Sequence, residues 1–312
     1  MQKKNNEHCE EGNSRSVQMT RARLSKNDEF YTKLADIEQE CNQYSEYFQG
    51  KRILCACDKV DSSFVKFFEK NFDKFGLASL TATGFSAYGR GTKYVHHRGE
   101  APQTTQLLFD GDFFSAEVLE IIKNDSDIVV TNPPFSESRR IVETLFRFEK
   151  QFLIVGNVVN FDSKEMEYLI MTRQLWFGYF GSGAMEFTLP DHYQQWMREE
   201  VRPDGSIQKF TTVSSICWAT NLPVNKPLGH TLTAKFDPSA HVKYDEHDAI
   251  EVPALKKIPK DYDGLMGVPV TFIIDWDPEQ FNIVGFSDGV YIKGTPSVGR
   301  KTHYSRVFIK KR

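Results

Sequence analysis

The sequence has no apolar run that approaches the ~20 residues of a membrane-spanning helix, and its first residues lack the apolar core of a secretion signal. Cysteines are few: Cys9, Cys41, Cys55, Cys57 and Cys217 form no even framework of the kind that secreted domains use for disulfides. We therefore expect reduced thiols in a soluble cytoplasmic protein with no membrane partner. The 312 residues, 40% of them hydrophobic, can bury a core in one large domain or two smaller ones.

A strong net charge is also missing, and the value of −3 at pH 7 argues weakly against a nucleic-acid partner. The distribution of charge matters more than the total. Between residues 290 and 312 there is no acid, but there are seven cations: Lys293, Arg300, Lys301, Arg306, Lys310, Lys311 and Arg312. Such a segment can neutralise phosphates, although a solvated basic tail explains the same composition.

The glycine pair of a G-x-G cofactor turn is absent where such a turn is expected. Residues 51–57 read KRILCAC and predict a short apolar strand, which Asp58 and a phenylalanine-rich helix follow. Backbone N–H groups of this turn can still bind a carboxylate. A metal is not expected, because no second cysteine pair completes a zinc site with Cys55-x-Cys57.

The stretch around which the rest of the chain is organised is 127–136, DIVVTNPPFS. Ile128–Thr131 is typical of a buried parallel strand, and the two prolines end it because neither can donate to a ladder. Apolar residues at helical spacing follow in 137–148. An open α/β sheet presents functional groups in this way at the carboxyl ends of its strands. A strand that simply ends in a Pro-Pro turn is the plainer alternative.

The residue types of this turn suit one kind of chemistry. An exocyclic amine on a base is a poor nucleophile, because its lone pair is delocalised into the ring. If the Asn132 side-chain oxygen and the Pro133 carbonyl each accept one amine hydrogen, the lone pair is released and the developing positive charge is stabilised. The prolines hold both acceptors still, and Phe135 offers a flat face on which an extruded base can stack.

Predicted strands and helices alternate along the first two thirds of the chain, which indicates a doubly wound, mostly parallel α/β sheet. We expect a long helix from Asn27-Asp28 to about Phe48 and a β-hairpin from 175–189 and 209–222, with a polar loop between its arms. Other strands are expected at 77–83, within 107–115, at 127–135 and at 151–159.

Asp112 and Phe113 would follow the third strand, where they can contact a nucleoside, although a turn-forming Asp beside Gly111 explains Asp112 as well. These patterns divide the chain into a flexible basic arm (1–27), a catalytic domain (28–222) and a C-terminal region (223–312).

Taken in order, several motifs resemble the EcoRI-type adenine-specific DNA modification methylases: NDEFYT (27–32), CACD with SSFVKFF (55–58 and 62–68), DIVVTNPPFS (127–136), CWATNLP (217–223) and the long stretch 257–286. The resemblance implies a class I Rossmann-like methyltransferase domain, S-adenosyl-L-methionine (AdoMet) as methyl donor and N6 of adenine in double-stranded DNA as target. It places target recognition in the C-terminal region. Asn132, Pro133, Pro134 and Phe135 become the catalytic tetrapeptide, and the implied cofactor contacts are Tyr31, Thr32, Cys57, Asp58, Asp112 and Phe113.

The resemblance leaves a cognate restriction endonuclease as a further possible partner, and a prokaryotic or phage origin as the expectation. The absence of coiled-coil heptads favours a monomer. Two alternatives stay open. One is methylation of RNA or of a protein glutamine, since similar turns hold other planar amines. The other is a catalytically silent DNA-binding relative, which the missing glycines of the cofactor turn favour.

Overall fold

The computed structural model describes residues 30–181, 183–191 and 193–312, so the predicted arm 1–27 and the predicted helix start at Asn27-Asp28 lie outside the described residues. The α-helices in this part of the chain are α1 (Leu34–Cys41), α2 (Ser45–Phe48), α3 (Ser63–Lys70), α4 (Ala116–Asp125), α5 (Ser138–Arg147) and α6 (Lys164–Met171). Short 3-10 helices lie at Asn42–Tyr44, Phe135–Glu137, Val158–Phe161, Leu255–Lys257 and Val270–Asp275.

The strands fall into one large sheet, one four-stranded sheet and one small hairpin. Those of the large sheet are β1 (Tyr31–Thr32), β2 (Arg52–Ala56), β3 (Ser79–Gly84), β4 (Thr92–His97), β5 (Gln103–Gln106), β6 (Ile128–Thr131), β7 (Gln151–Asn157), β8 (Trp176–Phe177), β9 (Gly183–Leu189), β10 (Arg198–Val201) and β11 (Ile207–Thr220). The remaining strands are β12 (Ala249–Glu251), β13 (Leu265–Pro269), β14 (Phe281–Phe286), β15 (Ser297–Val298), β16 (Lys301–Thr302) and β17 (Arg306–Lys311).

The large sheet has the order β5-β4-β3-β2-β6-β7-β11-β9-β1, with β8 and β10 also paired to β11. Its four central strands, β3, β2, β6 and β7, are parallel to one another. The strands on both flanks are antiparallel. The α/β class is therefore confirmed, but the parallel part is limited to the centre, whereas a mostly parallel sheet was predicted.

The central strands are covered on both faces. Leu54 of β2 and Val129 of β6 belong to one hydrophobic cluster, which also contains buried residues of α4, α5 and α6. Their neighbours Ile53 and Val130 belong to a second cluster, which contains buried residues of α1 and α3. Successive strand residues point to opposite faces, so the two clusters are the two sides of one sheet with helices on each side.

The four-stranded sheet, β12-β13-β17-β14, lies within the C-terminal region. Its buried residues Ile250, Met266 and Ile309 share the first hydrophobic cluster with Leu54 and Val129. One continuous apolar core therefore joins the C-terminal region to one face of the large sheet.

Three predictions about local structure are wrong. Tyr31 and Thr32 pair with β9 as a short strand instead of starting a helix, although the later residues Ile37, Cys41 and Phe48 are buried as predicted. Residues 107–115 contain no strand, and the strand after β3 is the antiparallel β4. The predicted loop 191–205 contains β10. None of the helices described is long and apolar enough to cross a membrane.

Candidate active site

Asn132 follows directly after β6, at the carboxyl end of the parallel strands. Its side-chain nitrogen Nδ2 donates a hydrogen bond to the backbone carbonyl of Phe30. A carbonyl oxygen can only accept, so this contact fixes the orientation of the amide and turns Oδ1 away from Phe30. Within the described residues, Oδ1 is buried and has no hydrogen-bond partner. An unpaired buried acceptor costs free energy, which a donor from a ligand would recover.

Phe135 lies in an aromatic cluster with Phe30, Phe187 and Tyr193. Its ring stacks on that of Phe30, with centroids 5.4 Å apart and ring planes 16° apart, and meets Phe187 edge-on at 5.7 Å. Only 7% of Phe135 is exposed. The flat face expected to receive a base is therefore covered by Phe30.

The carbonyl of Phe135 is held from the neighbouring strand. Asn160 lies in the 3-10 helix after β7, and its Nδ2 donates to this carbonyl over 2.7 Å. The turn is thus fixed at one end by the Phe30 carbonyl and at the other by Asn160. Two prolines with restricted φ lie between these points, so the turn is rigid before any ligand binds.

The turn after β2 reaches the same edge of the sheet. Cys57 has φ +66°, in the left-handed region where glycine is normally preferred. Asp58 is buried, and its Oδ2 lies 2.7 Å from the Thr131 hydroxyl, which also contacts the Ala56 carbonyl. Burial raises the pKa of Asp58 to about 7, against the smaller opposing effects of hydrogen bonds from Thr131 and Ser62. The carboxyl is therefore poised between its charged and neutral forms near neutral pH.

Two further hydroxyls at this edge are buried without a hydrogen-bond partner among the described residues. They are Thr32 Oγ1 in β1 and Thr83 Oγ1 in β3. Thr83 pairs with Ala56 of β2, which places it next to the Cys57 turn. Tyr31 is about half exposed. Buried hydroxyls without a partner are suited to hydrogen bonds with a polar ligand such as a nucleoside with charged groups.

Asp112 lies in a loop and not at a strand end as predicted, because local turn contacts override the apolar run before it. Its Oδ1 accepts from Phe114 N over 2.9 Å, the contact of a turn-forming Asp. Gly111 has φ +79°, and a Cβ there would lie 2.5 Å from the Gly84 carbonyl. The loop consequently packs against the end of β3, beside Thr83.

Phe113 is buried in the first hydrophobic cluster, whereas the preceding Leu108 and Phe109 are exposed. Glu117 Oε2 accepts from Leu108 N over 2.7 Å and holds this segment to α4. The exposed apolar surface next to the Asp112 loop is therefore provided by Leu108 and Phe109, which were not predicted as site residues.

Thr83, Thr131 and Asn160 were also missed as site residues, and the contact between Phe30 and the Asn132 amide was not predicted. The signal for Thr131 and Asn160 was their place at or just after the ends of two predicted neighbouring strands, since such ends meet at one edge of a sheet. No local pattern predicts that Phe30 contacts Asn132, because this contact depends on the pairing of β1 with the distant β9.

No group of three or more potential metal ligands occurs among the residues that the structure describes. A cavity of about 250 Å³ lies elsewhere, lined in part by Trp176, Leu175 and Trp276. Trp176 pairs with Thr220, which pairs with Leu153 in the amino-terminal half of β7, so this cavity lies away from the Asn132 edge.

Comparison with known proteins adds a family to this geometry. The profile of the family described as adenine-specific methyltransferase EcoRI matches residues 18–108 and 93–311. The chain is 38% identical to the Type II methyltransferase M.EcoRI of Escherichia coli, over 96% of this chain and 97% of that protein. It is 34% identical to the Type II methyltransferase M.MpnI of Mycoplasma pneumoniae, over 94% and 97% of the two chains. The comparison with solved structures finds no match.

Proposed function

This chain belongs to the EcoRI family of adenine-specific methyltransferases, and from that premise we propose that it transfers a methyl group from AdoMet to N6 of an adenine turned out of duplex DNA. The observation that carries the proposal is the buried Asn132 Oδ1, which has no partner among the described residues and is held in one orientation by the Phe30 carbonyl. Methylation outside the base stack requires a rigid acceptor of this kind.

Asn132 and Pro133 act on the target amine. Oδ1 of Asn132 and the carbonyl of Pro133 each accept one hydrogen of the adenine NH₂, so the nitrogen becomes more tetrahedral and its lone pair turns towards the methyl group. Both acceptors also stabilise the positive charge that develops on N6. Because the turn is held between Phe30 and Asn160, little reorganisation is needed at the moment of reaction.

The edge formed by β2, β3 and the loop 107–112 fits AdoMet. When bound, AdoMet supplies an activated methyl group on a sulfonium. The charged form of Asp58 attracts a cationic group, and the turn at Cys57 offers backbone N–H groups to a carboxylate. The free hydroxyls of Thr32 and Thr83 provide hydrogen bonds to the rest of the molecule. Asp112 and the exposed Phe109 are placed to contact its nucleoside end.

Phe135 is the proposed stacking partner of the flipped base. Since the Phe30 ring covers one face of the Phe135 ring, a base that stacks on this face has to displace the Phe30 side chain. The displacement is compensated by the new base–aromatic contact, for which stacking is worth about 1–3 kcal/mol. In the free protein the Phe30 ring therefore occupies the position that the base takes in the complex.

The strand order and the helices on both faces support a class I Rossmann-like domain with an antiparallel continuation at β11 and β9. We assign the catalytic domain to residues 28–222 and target recognition to residues 223–312. Membership of this family also suggests a cognate restriction endonuclease that cuts the same site when it is unmethylated.

Unmethylated genomic DNA incubated with the protein and methyl-labelled AdoMet tests the proposal. We expect label in N6-methyladenine at a defined sequence, which sequencing of the modified bases would reveal. Label on cytosine, or only on RNA or protein, would contradict the assignment of the substrate. Calorimetric titration with AdoMet addresses the catalytically silent alternative, for which no binding is expected.

A further inference from the structure

The C-terminal sheet has an excursion between β14 and β17, residues 287–305, whose two ends lie beside the Asn132 edge. Ser305 Oγ donates to Asp162 Oδ2 over 2.9 Å, and Asp162 follows directly after the 3-10 helix that contains Asn160. Asn160 in turn holds the carbonyl of Phe135. At the base of the excursion, Ser287 N donates to the Arg306 carbonyl over 2.8 Å. Two side-chain hydrogen bonds and one short helix therefore connect the catalytic turn to this excursion.

The cations of the basic C-terminal segment, residues 290–312, lie in different environments. Arg306 forms a two-pronged contact with the buried Glu251, and Lys311 and Arg312 pair with Asp263 and Glu279. In contrast, the exposed cations of the excursion form no ion pair with any residue that the structure describes: these are Lys293, Arg300 and Lys301. Lys293 Nζ donates to the Gly289 carbonyl over 3.2 Å, a neutral acceptor that leaves the charge of the ammonium group uncompensated. Exposed cations without an ion pair lose little when they bind a phosphate.

The shape of the excursion presents these cations outward. β15 and β16 form a hairpin with Gly299 and Arg300 at its turn, and Asp245 Oδ2 anchors the turn by accepting from Gly299 N over 2.8 Å. Glu246 accepts from Ser297 N over 2.8 Å. Both acids are thus used to fix the hairpin backbone, which leaves Arg300 at the tip.

An exposed aromatic residue lies in the chain between the hairpin and Ser305, which contacts Asp162. Tyr304 is 72% exposed and directly precedes Ser305, whose φ of +52° turns the chain into β17. A large exposed aromatic ring beside unpaired cations is the combination that nucleic-acid surfaces use for stacking and phosphate contact.

We propose that residues 288–304 contact the DNA duplex next to the flipped adenine, with Lys293, Arg300 and Lys301 on phosphates and Tyr304 on the nucleotides that flank the target. The inference rests on the proposed function, because it takes duplex DNA as the substrate. It assigns the contact to one excursion of the C-terminal region, whereas the family resemblance implicates the region as a whole.

The phosphate contacts are tested by the salt dependence of DNA binding. Each lost contact reduces the slope of log K against log salt by about 0.9, so replacing Lys293, Arg300 and Lys301 together by alanine should reduce it by about 2.7. The matched control replaces three other exposed lysines by alanine and therefore alters the net charge equally. Lys74 precedes β3, Lys123 precedes β6, and Lys310 lies near the end of β17 that is remote from the excursion. We expect the control slope to change by less than about 0.5, measured by fluorescence anisotropy with duplex DNA.

Tyr304 is tested by kinetics. Tyr304→Ala should lower kcat/KM for DNA about tenfold and leave the AdoMet dissociation constant unchanged, while Tyr304→Phe keeps most of the activity because the ring remains. The inference would be overturned, and the proposed function would stand, if the wild type and the excursion variant had equal salt slopes. The same holds if the control variant changed the slope as much as the excursion variant does. A wild-type protein that neither binds nor methylates duplex DNA would overturn the proposed function as well.

Discussion

Asn132 presents the two atoms of its amide to different surroundings. Nδ2 donates a hydrogen bond to the Phe30 carbonyl, whereas Oδ1 is buried and has no hydrogen-bond partner among the described residues. Asn132→Ala removes the acceptor, so we expect methyl transfer to fall at least about 100-fold, as when one preorganised hydrogen-bonding group is removed from an active site. AdoMet affinity should stay within about twofold in a calorimetric titration, because Asp58, Thr32 and Thr83 are untouched. Near-normal methylation by this variant would mean that Asn132 does not hold the amine.

The buried carboxyl of Asp58 links stability to pH. Its pKa is raised from 3.8 to about 7, so between these values the folded protein holds a proton that the unfolded chain releases. The contribution of Asp58 therefore makes the free energy of unfolding fall as pH rises from about 4 to about 7, by about 1.4 kcal/mol for each pH unit. Above pH 7 the contribution is constant.

We expect Asp58→Asn to remove the free-energy cost of ionising this buried carboxyl and to weaken the proposed cofactor site at the same time. At pH 8 the variant should be more stable than the wild type towards urea, with a smaller difference at pH 5. Its affinity for AdoMet at pH 8 should fall about tenfold, since the charge that attracts a cationic group is gone. Asp61→Asn, an exposed change in the same loop, is the control. Unchanged AdoMet affinity would exclude Asp58 as a cofactor contact.

At the scale of elements, the turn after β2 takes a glycine-like conformation without a glycine. Cys57 has φ +66°, which costs a non-glycine residue about 1 kcal/mol and a β-branched residue more. We expect Cys57→Gly to retain AdoMet binding and stability within about 1 kcal/mol. Cys57→Val should lower the free energy of unfolding by about 2 kcal/mol and weaken AdoMet binding. Urea denaturation and calorimetric titration measure the two quantities. Equal behaviour of the two variants would show that the turn does not need this backbone shape.

Local sequence is sufficient to predict those elements that residues within one short segment determine. The unit formed by β6, the Asn132 turn and α5 was predicted because a β-branched run, two prolines and a helical apolar period lie within 22 residues, 127–148. The structure confirms that unit. The buried face of α1 was predicted for the same reason.

Elements that depend on distant pairing could not be predicted in this way. β1 is a strand because Tyr31 and Thr32 pair with Thr188 and Phe187, and no local pattern shows this. In 107–115 the apolar Leu107, Leu108 and Phe109 suggested a strand, but turns at Asp110 and Asp112 prevail. The local structure of the Asn132 turn could therefore be predicted, whereas the cover of Phe135 by the Phe30 ring is visible only in three dimensions.

The molecule as a whole couples its two larger sheets through a buried carboxylate as well as through apolar contacts. Glu167 in α6 is fully buried, and its two oxygens accept from Phe286 N and Val290 N of the C-terminal region over 2.9 and 2.5 Å. Gly289 leaves room for it, since a Cβ there would lie 2.6 Å from Glu167 Oε2. This contact fixes the start of the excursion 287–305 to α6, and Asp162, two residues before that helix begins, accepts a hydrogen bond from Ser305 at the end of the excursion.

Glu167→Ala should therefore lower the stability of the whole protein. It leaves two buried or partly buried N–H groups without their acceptor, at a cost of about 1–3 kcal/mol for each, so we expect a loss of about 3 kcal/mol in urea denaturation. The control Glu165→Ala changes an exposed carboxylate on the same helix and should cost less than about 1 kcal/mol. Since the excursion lies beside the Asn132 edge, Glu167→Ala should also lower kcat/KM for DNA more than it lowers AdoMet affinity. Equal losses in the two variants would mean that the apolar core alone holds the sheets together.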